Sequence, residues 1–153
     1  MPKGDGTKLV LIKIDSAVPA DAARAVQEMR VGGIDQIDIL IANAGMSPPI
    51  TPLETVSMDD VTGTFSVNTL GPLALYQACY ELLKASSNCP KFVPISSGAG
   101  SIGAMPKGSS WIGPAYSISK AALNWIAQYV VPTIQLSLFC RSGRSERTKM
   151  YNI

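Results

Sequence analysis

The sequence predicts an α/β fold built on a parallel sheet, and three observations carry that expectation. Strand-like and helix-like segments alternate along the chain, the pattern of βαβ units. The run "IDILIA" at 37–42 is almost continuously apolar, as a strand covered on both faces should be. Two loops rich in turn residues, 43–52 and 97–115, follow predicted strands. A parallel sheet would bring them together at the carboxyl ends of its strands, where open α/β sheets bind ligands.

The elements follow in order. "KLVLIKID" at 8–15 alternates enough to read as a first strand ending on Asp15. Residues 20–31 place Ala22, Ala25, Val26 and Met29 on one helical face, and Gly32-Gly33 stop that helix. After strand 37–42 and the loop "NAGMSPPITP", Ser57 followed by Asp60 resembles a capping box with Asp in place of Glu. The helix it opens is expected over 58–84, bent at Gly71-Pro72 because Pro72 has no N–H to donate. "KFVPIS" at 91–96 is the next strand, 114–129 a helix, and "TIQLSLFC" at 133–140 a last strand. Residues 141–153 are polar and basic and are expected to be a loose tail.

Bulk properties exclude several kinds of function. A chain of 153 residues, 46% hydrophobic and 16% charged, is expected to form a single globular domain. The net charge of +2 implies neither a nucleic-acid nor a membrane partner. Arg141, Arg144, Arg147 and Lys149 read as a solvated tail. Without histidine there is no His-based triad and no His metal ligand. Cys79, Cys89 and Cys140 match neither a metal spacing nor a disulfide framework, so no metal is expected. The short polar start "MPKGDGTK" has no apolar signal core, and Gln128, Pro132 and Gln135 interrupt the longest apolar region. A cytoplasmic, reducing location is the expectation.

Four short motifs fall at the predicted carboxyl edge. Tyr116 and Lys120, four residues apart, share a helix face with Cβ atoms roughly 5–6 Å apart. A neighbouring ammonium favours the phenolate, so such a pair can exchange a proton near neutral pH. Taken alone, the pair reads more simply as a rim tyrosine beside a snorkelling lysine. Ser96 and Ser97 end a strand, and a hydroxyl there can donate to a substrate oxygen gaining negative charge. A loop that favours Ser and Gly is the plain alternative. In "IANAG" at 41–45, Ala44 and Gly45 let a flat ligand approach the backbone, and Asn43 can tie neighbouring strands. Asn68 is a polar amide inside an apolar helix; it reads either as a hydrogen-bonding post for water or backbone or as a kink residue.

Taken together, "ILIANAG", "FSVNTLGPLALYQA", "KFVPISSGAGSIG" and "AYSISKAALNWIA" resemble the short-chain dehydrogenase/reductase family, most nearly the fungal ketoreductase branch that includes norsolorinic acid ketoreductases. The resemblance covers about residues 8–128. It implies an incomplete Rossmann-type, doubly wound parallel sheet lacking the first strand–helix–strand. It implies reduction of a ketone, or the reverse alcohol oxidation, with NADP or NAD as cofactor. By the same resemblance Tyr116 is the proton donor, Lys120 lowers its pKa and holds the nicotinamide ribose, and Ser97, with Ser96 as alternative, binds the substrate oxygen. Asn68 would hold a water linking Lys120 to solvent. Asp15 would contact the adenine region, and Asn43, Ala44 and Gly45 would line the cofactor, with Ala42 replacing an asparagine of the family motif.

The chain departs from the family in three ways. The loop from Ser97 to Tyr116 is longer, with Met105 and Trp111 as expected wall residues. No T-G-x-x-x-G-x-G fingerprint occurs, so the helix N-terminus that cradles a pyrophosphate is not encoded. The likeness ends near Gln128, which suggests a truncated or altered gene product. Two functions remain open: a reductase whose cofactor binding is weakened, or a non-catalytic member pairing as a homo- or heterodimer through helices 58–84 and 114–129. With the first strands absent, segment 8–15 is expected to move in beside 37–42 through a right-handed crossover.

Overall fold

The computed structural model describes residues 4–104 and 113–130, together with the backbone of two short strands near the C-terminus. Met105, Trp111, Arg144, Arg147 and Lys149 lie outside the described residues. The elements are α1 (Pro19–Val31), β1 (Ile39–Ala42), α2 (Met58–Phe65), a π-turn (Ser66–Leu70), α3 (Gly71–Lys84), β2 (Lys91–Ser97), α4 (Pro114–Val130), β3 (Gln135–Leu136) and β4 (Phe139–Arg141).

All strand pairs are parallel, and β2 is the hub. It pairs with β1 in the register Ile39–Lys91 to Ala42–Pro94. Toward its start it pairs with β3, and toward its end with β4. The single strand expected over 133–140 is thus two short pieces on the same partner.

Val26 of α1, Cys79, Leu82 and Leu83 of α3, and Val130 of α4 join Ala42 and Phe92 in one core. Three helices therefore lie over the same face of the sheet. Tyr76 extends this core, its ring 5.1 Å from that of Phe92. The alternation of a strand sends the next residues the other way. Ile39 and Ile41 are each 58% exposed. The expectation that 37–42 is covered on both faces is corrected here: among the described residues, helices cover one face only.

Segment 8–15 also differs from expectation. It forms no ladder and leaves Leu11 85% exposed. Its anchors are local. The Arg24 guanidinium donates to Lys13 O at 2.7 Å, and the Asp15 N–H donates to Asp21 Oδ2 at 3.0 Å. Beyond it, Ser16 packs so tightly on α3 that a Cβ on Gly71 would meet Ser16 O at 2.7 Å. Between this segment and β1 lies a cavity of about 230 Å³ lined by Ile14, Asp15, Ile41, Ala42, Asn43 and Leu75. Segment 8–15 therefore does not move in beside β1: its end is held against α1 and α3, leaving a gap where the sheet would continue.

Helix 58–84 is continuous but not uniform. The Ser57 side chain caps α2 by accepting from the Asp59 N–H at 3.2 Å, not through a box with Asp60. At Pro72 the expected bend takes the form of a π-turn, in which the Gly71 N–H reaches back five residues to Ser66 O. Such a turn adds a residue to the helix locally and relieves the clash a proline ring makes with the preceding turn.

The two faces of the sheet should respond differently to mutation. Leu83→Ala, at a fully buried site, is expected to destabilise by about 2–5 kcal/mol in urea unfolding. Ile41→Thr, on the open face, should change stability by no more than about 0.5 kcal/mol while reducing self-association by light scattering.

Candidate active site

The site is assembled by α4, whose N-terminal half meets the π-turn on one side and the end of β2 on the other. Asn68, fully buried in the π-turn, makes three hydrogen bonds. Its Oδ1 accepts from the Met46 N–H at 2.8 Å, and its Nδ2 donates to Met46 O at 2.9 Å and to Ser119 Oγ at 3.0 Å. Thr69 Oγ1 donates to Ser119 O at 2.9 Å, and Ser119 Oγ donates to Tyr116 O at 2.7 Å. The loop after β1, the π-turn and the first turn of α4 are thereby joined. Both Asn68 donors are spent on protein groups, so the carboxamide acts as a tie and has no N–H left for a water.

On the other side, Lys120 Nζ donates to Ile95 O at 2.7 Å. Ser96 Oγ donates to Asn124 Oδ1 at 2.5 Å, and Asn124 Nδ2 donates to Gly100 O at 3.1 Å. Gly100 lies so close to the helix that a Cβ would sit 2.5 Å from the Lys120 carbonyl carbon. Only glycine permits that approach. Ser97 Oγ accepts from the Ala99 N–H at 3.2 Å, which leaves its own proton free to donate.

These ties bring Asn43, Gly45, Met46, Ser47, Ile95, Ser96, Ser97, Tyr116 and Lys120 around one cleft of about 400 Å³. Lys120 Nζ lies 5.6 Å from the centroid of the Tyr116 ring. Lys120 is only 5% exposed, and burial holds its ammonium below the usual lysine range. Gly45 closes against Asn68: a Cβ there would sit 3.3 Å from Asn68 Oδ1 and 3.8 Å from Lys120 Nζ.

Of the residues singled out in the sequence, Ser97, Tyr116, Lys120, Asn43 and Gly45 line this cleft, and Asn68 stands behind it. Asp15 and Ala44 do not. They line the 230 Å³ cavity, which shares only Asn43 with the cleft. Asp15 Oδ1 accepts from the Ala17 N–H at 2.9 Å, shaping the turn into α1. The Asn43 side chain, expected to tie strands, makes no hydrogen bond to another described residue. Sequence reasoning missed Thr69, Ser119 and Asn124. Asn124 carried a signal: it continues the Tyr116–Lys120 spacing by four more residues as a polar group on an apolar helix.

The depressed Lys120 value has a thermodynamic consequence. This lysine holds its proton more weakly in the fold than in the unfolded chain, where it titrates in the ordinary lysine range near 10.5. Stability from this site therefore rises with pH as the folded value is passed, and the penalty is gone above the unfolded one. Lys120→Met removes the buried charge. Its stability relative to wild type, measured by urea unfolding at pH 7 and pH 10, is expected to fall at the higher pH. A pH-independent difference would show that burial does not penalise the ammonium.

Comparison with known proteins places this geometry. The short chain dehydrogenase family model matches residues 2–131. A short-chain dehydrogenase of Neurospora crassa is 46% identical over 121 residues, which are 79% of this chain and 47% of that protein. A norsolorinic acid ketoreductase of Dothistroma septosporum is 32% identical over 130 residues, 84% of this chain and 48% of that one. The chain spans about half the length of these curated relatives. An NADPH-bound carbonyl reductase from chicken fatty liver shares the fold with a TM-score of 0.71 at 24% identity, covering 86% of this chain and 56% of that one. For the carbonyl reductase Sniffer of D. melanogaster the TM-score is 0.68 at 26% identity, with 78% and 52% covered. With its family model matched over most of its length and its α/β fold shared with these enzymes, the chain belongs to the short-chain dehydrogenase family of oxidoreductases.

Proposed function

We propose that these residues form the proton-transfer half of an NAD(P)H-dependent carbonyl reductase centre. The carrying observation is that Ser97, Tyr116, Lys120, Asn43 and Gly45 line one cleft at the carboxyl end of β1 and β2. The cleft suits a nicotinamide and its ribose. Lys120 Nζ has donors left beyond its bond to Ile95 O. The sequence holds no glycine-rich fingerprint for the pyrophosphate. A bound nicotinamide cofactor supplies the hydride for such a reduction.

The protein's own groups do the rest. The Tyr116 hydroxyl gives its proton to the carbonyl oxygen as the ketone becomes an alcohol, or takes it back in the reverse direction. Lys120, held by Ile95 O under the Tyr116 ring, places a cation beside the phenol as its proton leaves. Ser97 rather than Ser96 donates to the substrate oxygen. Gly100 O can only accept, so Asn124 must turn its Nδ2 toward it and its Oδ1 toward Ser96. The Ser96 proton is therefore committed, while that of Ser97 is free. Asp15, which lines the neighbouring cavity, would contact the adenine end of such a cofactor, and Asn43 borders both spaces. A small ketone or secondary alcohol is the substrate class, and the centre works in the cytoplasm.

A second reading is favoured by the outer face of α4. Trp125 and Tyr129, 68% and 73% exposed, stack at 5.6 Å, and Ile118 and Met58 of α2 are also exposed. Such a surface suits pairing through α2 and α4 with a second copy or a longer relative.

For the polypeptide of these 153 residues, NADPH binding is expected to be weak and ketone reduction close to background. Fusing the part of the Neurospora crassa relative that precedes its matched residues should raise both. Tyr116→Phe in that fusion should then lower reduction by about 10²–10⁴-fold with NADPH binding retained. An undiminished Tyr116→Phe fusion would refute the catalytic reading. Association abolished by Trp125→Glu, with no NADPH binding by the fusion, would favour the pairing reading.

A further inference from the structure

We propose that Asn124 is the positioning residue that sets Ser97 against Tyr116. This rests on the reading of Ser97 and Tyr116 as catalytic. No hydrogen bond joins those two residues among the described ones, so their relative placement is imposed from elsewhere. Ser97 is the last residue of β2, and the chain turns at once through Gly98–Gly100. Ser97 is held in register with Arg141 of β4, but the turn that follows it has no strand partner among the described residues, so the hydroxyl's setting depends on how that turn is tied.

Asn124 supplies both ties with one side chain. Its Oδ1 takes the Ser96 hydroxyl, immediately before Ser97, at 2.5 Å. Its Nδ2 reaches Gly100 O, three residues after Ser97, at 3.1 Å. Between these anchors the turn closes on itself, with the Ala99 N–H on Ser97 Oγ at 3.2 Å and the Ser101 N–H on Gly98 O at 3.0 Å. Asn124 lies four residues after Lys120 and eight after Tyr116, so the three share one stripe of α4. Lys120 Nζ holds Ile95 O at 2.7 Å along the same stripe. The helix that carries the phenol thus also carries the clamp for the serine, and the two hydroxyls are referenced to one rigid body. Gly100 permits the clamp, since any Cβ there would collide with the Lys120 backbone.

The carboxamide is needed in a specific form. A carboxylate at this position still accepts from Ser96 but faces Gly100 O with a second acceptor and repels it. Asn124→Asp therefore opens the far end of the turn, whereas Ser96→Ala loses one tie and leaves the Gly100 anchor in place.

The experiment is amide hydrogen exchange by NMR on the 153-residue chain and its Asn124→Asp, Ser96→Ala and Asn124→Ala variants, with ¹³C-labelled tyrosine reporting on the Tyr116 ring. Asn124→Asp and Asn124→Ala should raise exchange at Ala99 and Ser101 at least tenfold and shift the Tyr116 signal. Amides of β1 and of the core residue Phe92 should stay within twofold. Ser96→Ala should raise Ala99 and Ser101 exchange less than Asn124→Asp does. In the fusion with the Neurospora crassa segment, Asn124→Asp should lower kcat about tenfold with the KM for NADPH unchanged. Unchanged exchange at Ala99 and Ser101, or an equal rise in β1 and Phe92, would overturn the proposal. So would a rise in KM for NADPH with kcat intact. If exchange responds as stated while Tyr116→Phe leaves the fusion fully active, the clamp stands and the catalytic reading fails, so the proposal in its stated form is overturned.

Discussion

Everything in the cleft hangs on one buried carboxamide. Asn68 sits at zero exposure inside a helix, where a polar group without partners would cost about 1–3 kcal/mol. It avoids that cost by bonding both the N–H and the C=O of Met46 and the hydroxyl of Ser119. These three bonds force the loop after β1, the middle of the long helix and the start of α4 into one arrangement. The π-turn is the backbone counterpart of this arrangement. Pro72 cannot donate within the helix, the local winding loosens, and Asn68 and its neighbour Thr69 both reach residue 119. Gly45 completes the junction by leaving room for the Asn68 oxygen.

From that junction the rest of the cleft is arranged along α4. α4 is already held at its first turn, so a single stripe along it can present the Tyr116 ring, place Lys120 beneath β2 and clamp the turn that bears Ser97. The lysine is the unfavourable element, because burial works against its charge. The cysteines make a useful contrast: burial pushes the Cys79 thiol up to about 11, as for a plain apolar core group far from the cleft.

The sheet tells the complementary story of what these residues do not enclose. The core is built on one face, where α1, α3 and α4 converge on Phe92 and Ala42. Ile39 and Ile41 remain exposed on the other face, and Leu9 and Leu11 are exposed in the unpaired segment 8–15. Apolar area of this kind contributes nothing to the stability of the folded chain while it faces water. The gap between segment 8–15 and β1 has the same origin, since the backbone groups that would close it belong to no described strand.

The sequence by itself determined the alternation of elements, because period-2 and period-3.6 patterns are local and survive without a partner. It determined α1, the long helix over 58–84, β2 and α4 to within a residue or two. It also singled out Tyr116, Lys120, Ser97, Asn43 and Gly45, which line one cleft because the loops after parallel strands converge at one edge. Only the tertiary structure decided that "KLVLIKID" is not a strand. A strand exists through its neighbour's hydrogen bonds, and a pattern of alternating side chains cannot supply them. Only the tertiary structure turned the kink at Pro72 into a π-turn and selected the Met46 backbone and Ser119 as the partners of Asn68, where the sequence left water, backbone or a kink open. It also showed that the Ser96 hydroxyl is bonded to a second carboxamide, Asn124, a partner that no local pattern announces. Those outcomes depend on atoms 22 to 51 residues apart in the chain coming to 3.0 Å or less from each other, and no local pattern encodes such a distance.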